Sequence, residues 1–232
     1  MGVNTQAELK TISPVAFIKT DFKEKFGVPR QSFRAPSAMG EIVFIKQFNH
    51  QEAIKGIEGF THLWLIFGFN KVDSGKNSLS VRPPRLGGNK KVGVFASRSP
   101  FRHNNLGLSS VKLEKINITK DGISLFVSGV DLVDGTPIYD IKPYLPACDC
   151  HTDAKGGFAD NFLDYKLKVH FPESLKQNIP VDKLTTLTQC LADDPRPSYQ
   201  NDDREYGLAF DCFNVKFIVT NDILKVTAVT KK

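Results

Sequence analysis

The residues of this chain best suited to chemistry on an anion are arginines set among prolines, glycines and asparagines. They fall in Val81–Ser110, VRPPRLGGNKKVGVFASRSPFRHNNLGLSS, which holds Arg82, Arg85, Lys90, Lys91, Arg98 and Arg102, with Lys112 just beyond it. Gly and Pro fix unusual backbone angles, and the guanidinium fork grips planar anions in two places at once. A merely solvated loop has no need of such stiffness, so the stretch reads as a site for an anionic or zwitterionic ligand. A second group lies in Asp131–Pro146, DLVDGTPIYDIKPYLP. There Asp134-Gly135-Thr136-Pro137 forms a tight turn, and Asp140, Lys142 and Tyr144 alternate so that an extended chain projects them to one face. They would supply an acid, a base and a phenol; a plain Asp140–Lys142 salt bridge is the simpler alternative. A third is the Pro-stiffened Asp194–Tyr199, DPRPSY, whose Arg196 and Tyr199 suit phosphate contact and base stacking. His62 is either a core histidine or a polar contact at a barrel mouth.

Strands must position these groups. Ile12–Thr20, Met39–Phe48, Phe60–Asn70, Gly107–Ile118 and Gly122–Val130 read as strands, the third as a central strand buried on both faces. Val92–Ala96, VGVFA, reads as a short buried strand between two basic loops. His50–Ile57 reads as a helical turn. Residues 147–161 turn small, polar and glycine-rich, as a linker does. Beyond it, Tyr165–Phe171 reads as a strand and Val181–Cys190 as a helix with Leu184, Leu187 and Leu191 on its apolar side. Phe210–Thr220 and Ile223–Val229 form a hairpin over Asn221-Asp222. Strands far outnumber helices. The expected fold is therefore mostly β: an antiparallel β-barrel over residues 1–150, then a linker and a small α+β unit over 151–232.

Composition narrows the function. With 232 residues, 41% hydrophobic, and a net charge of +6, the chain permits a polyanionic partner without requiring one. Its four Cys lack the C-x-x-C spacing of a zinc site, so no metal is expected. No apolar run approaches the ~20 residues that span a bilayer, and the N-terminus has no signal-peptide core. A cytoplasmic protein is expected. No phosphate-binding Walker loop, dinucleotide fingerprint or Ser/Cys triad is present.

The ordered motifs KEKFGVPRQ, FTHLWLIF, VRPPRLGGNKKVGVFASRSPFR, DLVDGTPIYDIKPYLP and DPRPSY resemble the TsaA-like (TrmO) tRNA methyltransferases, from Ser13 to about Val229. The resemblance implies a β-barrel, S-adenosylmethionine as methyl donor, and N6-methylation of N6-threonylcarbamoyladenosine at position 37, beside the anticodon of threonine tRNA. It also implies a homodimer with the site near the interface. One departure stands out. The family reads R-P-N-P-I-G where this chain has Arg102-His103-Asn104-Asn105-Leu106-Gly107, so two prolines are gone.

Position beside these motifs assigns the cofactor to Arg98, as bidentate partner of its carboxylate. Gln31, Ser32, Phe33, Arg34, Asn70 and Lys71 close around it, Leu108 offers an apolar face, and the Asp134, Gly135, Thr136, Pro137 turn completes the contacts. The acceptor nitrogen is attached to a carbonyl and is a poor nucleophile until its proton leaves. Asp140 and Tyr144 are the protein's candidate bases, beside the substrate's own carboxylate. Arg102 or Lys142 would hold that carboxylate, and Arg196 and Tyr199 the anticodon loop. Two other readings share these features: a non-catalytic RNA- or nucleotide-binding module, and a methyltransferase with another acceptor.

Overall fold

Period-two burial shapes the first half of the chain. The computed structural model describes residues 10–72, 78–120, 122–197 and 202–232. In β1 (Ala16–Thr20), Ala16 and Ile18 are fully buried while Phe17 and Lys19 face out. The same alternation runs through β2 (Met39–Phe44) and β3 (His62–Gly68). A two-stranded ribbon follows, β4 (Ser80–Val81) with β5 (Val92–Gly93), then three longer strands: β6 (Leu106–Thr119), β7 (Gly122–Ser128) and β8 (Thr136–Pro143). Six of these close a barrel in the order β1-β2-β7-β6-β3-β8, each neighbouring pair antiparallel. Its interior is filled by Ile18, Ile42, Leu63, Leu65, Leu125 and Ile138, all fully buried. Each is worth about 1.5–3 kcal/mol on burial. A one-residue slip of any strand would turn that set outward, which is what fixes the register.

The second half adds a four-stranded sheet in the order β10-β11-β12-β9, from β9 (Lys168–His170), β10 (Tyr206–Phe210), β11 (Phe213–Thr220) and β12 (Ile223–Lys231). Antiparallel pairs join β10 to β11 and β11 to β12, while β9 lies parallel to β12. The helix Val181–Ala192 buries Leu187 and Leu191 in the core beneath this sheet, with Phe210, Phe217 and Leu224. That core also takes in Phe22, Ala35 and Ala38 from the long connection between β1 and β2. One loop of the barrel therefore helps to build the second core.

Several expectations change. Phe60–Asn70 is not buried on both faces: Leu63, Leu65 and Phe67 point into the barrel, while His62, Trp64 and Ile66 are half-buried outside it. A closed barrel has an outer face, and aromatic residues from elsewhere cover this part of it. Val92–Ala96 is not a buried strand. Only Val92–Gly93 pair, residues 94–96 turn into a 3-10 helix, and Phe95 is 86% exposed. Five apolar residues do not distinguish strand from turn. The strand expected at Tyr165–Phe171 narrows to Lys168–His170, and β10 had no forecast. The supposed linker contains a short helix, Pro146–Asp149, and a 3-10 turn, Gly157–Phe162. The hairpin at Asn221-Asp222 is as expected, with φ of +49° and +60° at its two turn residues.

Candidate active site

One end of the barrel gathers most of the candidate residues. There β3 ends and β6 and β8 begin, since Gly68 pairs with Leu106 and Phe67 with Ile138. β1 also ends there. The Asp134–Pro137 turn is built into this rim. Asp134 accepts the Thr20 amide through Oδ1 (2.8 Å) and Lys23 Nζ through Oδ2 (3.0 Å). The Gly135 amide donates to the Ile18 carbonyl at 2.8 Å, with Gly135 at φ +75°. Thr136 and Pro137 are buried, so Gly135 is the exposed residue of the turn. Just past β3, Asn70 donates its amide to the Gly135 carbonyl at 3.1 Å, and Lys71 beside it is exposed.

The connection between β5 and β6 brings Arg98 to the same end. Its guanidinium is exposed and donates to Gln31 Oε1 at 2.6 Å, so two expected cofactor residues meet directly. Beneath them is a residue that the sequence reading overlooked. Asp131 follows β7, and its Oδ1 is sealed from solvent without a hydrogen-bond partner. Burial pushes this carboxyl up to about 6, while the Ser109 hydroxyl, the Ser32 amide and the charge of Arg98 pull the other way. A buried carboxyl held beside an arginine is the kind of group that functional sites gather, and it joins the candidates here. Its only sequence signal is an Asp directly after an apolar strand, which reads equally well as a turn. Leu108, 54% exposed, supplies an apolar surface on β6.

On the outer face, Asp140 and Lys142 form the simple salt bridge, Lys142 Nζ to Asp140 Oδ2 at 3.1 Å, while Asp140 Oδ1 accepts the Ile141 amide at 2.9 Å. Tyr144 is not next to that pair's oxygens in any hydrogen bond; it packs with Trp64 (5.4 Å between rings) and His62 (6.2 Å). Phe33 reaches the same row, 5.7 Å from His62, and holds the unusual φ of +62°. Burial first, then the charges of Cys150 and Asp149, push the Tyr144 phenol above its ordinary value. His62 is thus neither a core histidine nor at the barrel mouth but part of an external aromatic row.

Three expected contacts are committed elsewhere. Arg34 turns away from the rim and donates to Asp193 Oδ1 (2.6 Å), the Leu163 carbonyl (2.6 Å) and the Tyr165 carbonyl (2.8 Å). Arg196 is 6% exposed and bound to Asp194, Nε to Oδ1 at 2.9 Å. In this structure it holds its own loop closed instead of facing solvent. Arg102 folds back onto the Ser97 carbonyl at 3.1 Å. Tyr199 lies outside the described residues. In the altered loop, Asn105 adopts φ +49° and its amide donates to the Arg102 carbonyl at 3.1 Å. A proline can do neither, so the missing family proline is also a different local conformation.

Comparison with known proteins bears on the family and the fold. Residues 17–150 match the family described as the tRNA-methyltransferase O N-terminal domain, and residues 164–232 match the TrmO C-terminal domain. A tRNA (adenine(37)-N6)-methyltransferase of Escherichia coli is 40% identical over 223 residues, 92% of this chain and 95% of that protein. A Pseudomonas aeruginosa protein whose name marks it provisionally as an S-adenosylmethionine-dependent methyltransferase is 40% identical over 208 residues, 85% of this chain and 87% of its own. The crystal structure of TrmO from Pseudomonas aeruginosa superimposes with a TM-score of 0.78 at 34% identity, covering 98% of this chain and all of that one. The closed six-stranded barrel, the second sheet and both sequence matches make this chain a member of the tRNA-methyltransferase O family.

Proposed function

We propose that the chain transfers a methyl group from S-adenosylmethionine to N6 of N6-threonylcarbamoyladenosine at position 37 of threonine tRNA, as a cytoplasmic homodimer. The observation that carries this reading is a pair of contacts at one barrel end, Arg98 with Gln31 and Asn70 with the Asp134–Pro137 turn, with Asp131, one of whose oxygens is sealed from solvent, within reach of the Arg98 charge. The donor set fits the cofactor. Arg98 offers an exposed fork for a carboxylate, Gln31 and Asn70 offer amides, Leu108 an apolar face, and Asp131 negative charge for a cation. Residues 1–150 would form the cofactor-binding unit and 151–232 the smaller unit. Exposed Phe101 and Leu108, beside this end, give a second copy apolar surface to cover.

When bound, S-adenosylmethionine supplies the electrophilic methyl group. What remains for the protein is placement and one proton. Tyr144 keeps its proton at neutral pH, since its phenol is pushed above the ordinary range, so it serves as a donor or a stacking surface. Asp140 is the better protein base, with the substrate's carboxylate as the other route for the proton. Lys142, 61% exposed at its side chain, and Arg102 would hold that carboxylate.

The test is isothermal titration with S-adenosylmethionine, then mass analysis of nucleosides from treated threonine tRNA. Micromolar binding and a methyl mass on the threonylcarbamoyl nucleoside are expected. Binding without that mass would move the proposal to another acceptor, and no binding would favour a non-catalytic RNA module. Arg98→Ala should abolish cofactor binding; unchanged affinity would overturn its assignment.

A further inference from the structure

The positive charge of this chain is concentrated. Residues 74–113 contain eight Lys or Arg and no Asp or Glu. The remainder of the chain carries 23 Lys or Arg against 25 acids, so the whole excess of +6 resides in this one segment. Its described part, residues 78–113, takes in the β4–β5 ribbon with the loop between the two strands, the connection that carries Arg98 and Arg102, and the start of β6. Three of its cations, Arg82, Lys90 and Lys91, are exposed and have no ion-pair or hydrogen-bond partner among the described residues. The loop that bears them is nonetheless fixed. Arg85 donates to the Asp193 carbonyl at 2.8 Å and lies 4.5 Å over the Tyr165 ring, and Gly87 and Gly88 both take φ +75°. Just after the ribbon comes Phe95, 86% exposed, three residues before Arg98 of the cofactor site.

An aromatic ring held in water just past a ribbon whose anchored loop carries unpaired cations has the parts of a single-stranded nucleic-acid contact. The cations meet phosphates, and the ring takes an unstacked base whatever its identity. We propose that Arg82, Lys90, Lys91 and Phe95 form the surface that receives the RNA loop carrying the target base, its phosphates on the three cations and one flanking base on Phe95. This deepens the tRNA-methyltransferase reading and rests on it, replacing the buried Arg196 as the principal RNA contact. Continuity with Arg98 would lead the strand from Phe95 to the cofactor end of the barrel.

The experiment measures binding of a labelled anticodon stem-loop RNA by fluorescence anisotropy across a salt series, without cofactor. The variants are Arg82→Ala/Lys90→Ala/Lys91→Ala, Phe95→Ala, Phe95→Trp, and a charge-matched control, Lys166→Ala/Lys168→Ala/Lys225→Ala. Losing three phosphate contacts should lower the log–log salt slope by about 2, and affinity at low salt by tenfold or more. Phe95→Ala should weaken binding roughly 5- to 100-fold, Phe95→Trp should restore it, and the control should bind as wild type. S-adenosylmethionine affinity should stay at the wild-type level in all of them. Wild-type slope and affinity in the triple variant would overturn the surface and leave the methyltransferase reading standing. A wild-type protein that binds no RNA would overturn both. Loss of self-association with unchanged RNA affinity would make this an interface between copies and overturn the proposal too.

Discussion

Two arginine-rich regions of this molecule look alike in sequence and do opposite things. At the junction of barrel and second sheet, Arg30, Arg34, Arg85 and Arg196 are spent on protein partners: Asp193, Asp194, and the carbonyls of Leu163, Tyr165, Asp193, Asp194 and Arg196. Burial and the nearness of Arg85 pull Arg30 below its ordinary value, which shows how crowded with cations the junction is. Along the ribbon, Arg82, Lys90 and Lys91 stay in water. The difference is acids. Asp193 and Asp194 are 3% exposed and draw guanidinium groups inward, whereas no acid lies within the ribbon segment. Arginine density in a sequence therefore does not mark a binding face; arginine density without acids in reach comes closer.

The contrast can be broken from the junction side first. Arg34→Ala would leave Asp193 buried with its closest cation gone, which costs about 3 kcal/mol or more. For a chain of this size that is a fall in Tm of about 6–12 °C, measured by thermal unfolding, with the salt slope of RNA binding unchanged.

Asp131 offers a test by pH. Its proton is held more tightly in the folded chain than in the unfolded one, where a carboxyl titrates near 4. The stability this group contributes is whole below about 4 and fades as pH rises through about 6. Asp131→Asn should remove the fade. Relative to wild type the variant should gain up to about 3 kcal/mol between pH 4 and 7, read from urea unfolding at each pH; parallel curves would refute it.

Restoring the family proline is the third change. Asn105→Pro removes the amide bond to Arg102 and forbids φ +49°, so it should destabilise by about 1–3 kcal/mol and alter cofactor affinity through the Arg98 loop. The smallest effect belongs to the ribbon. Lys90→Ala/Lys91→Ala should move stability by less than about 0.5 kcal/mol per site, because nothing folded depends on either.

Much of the barrel was legible because a strand with one wet face alternates visibly, as Ala16–Thr20 does. The Asn221-Asp222 turn was legible because so few residues accept two successive positive φ values. What escaped depends on distant partners. Phe95 reads as core until the chain turns at Val94, and Arg196 reads as a probe for RNA until Asp194 and the Tyr206 ring, 5.9 Å away, enclose it. Asp131 carries no signature of its own, since the partners that meet it, Ser32 and Ser109, both lie well upstream in the chain. The meeting of Gln31 with Arg98 came from motif resemblance, and no local pattern of either residue foretold it.

The connection between β1 and β2 bears on how this protein can be cut or grafted. Gln31 and Ser32 on it face Arg98 and Asp131, while Phe22, Ala35 and Ala38 on either side are sunk in the core beneath the second sheet. The pocket loop is thus a plank resting on a floor that another part of the chain provides. A shortened chain ending near residue 150 would keep every barrel strand and every cofactor contact named above except the footing that holds two of them still. Transplanting the pocket into another scaffold would require carrying that footing along.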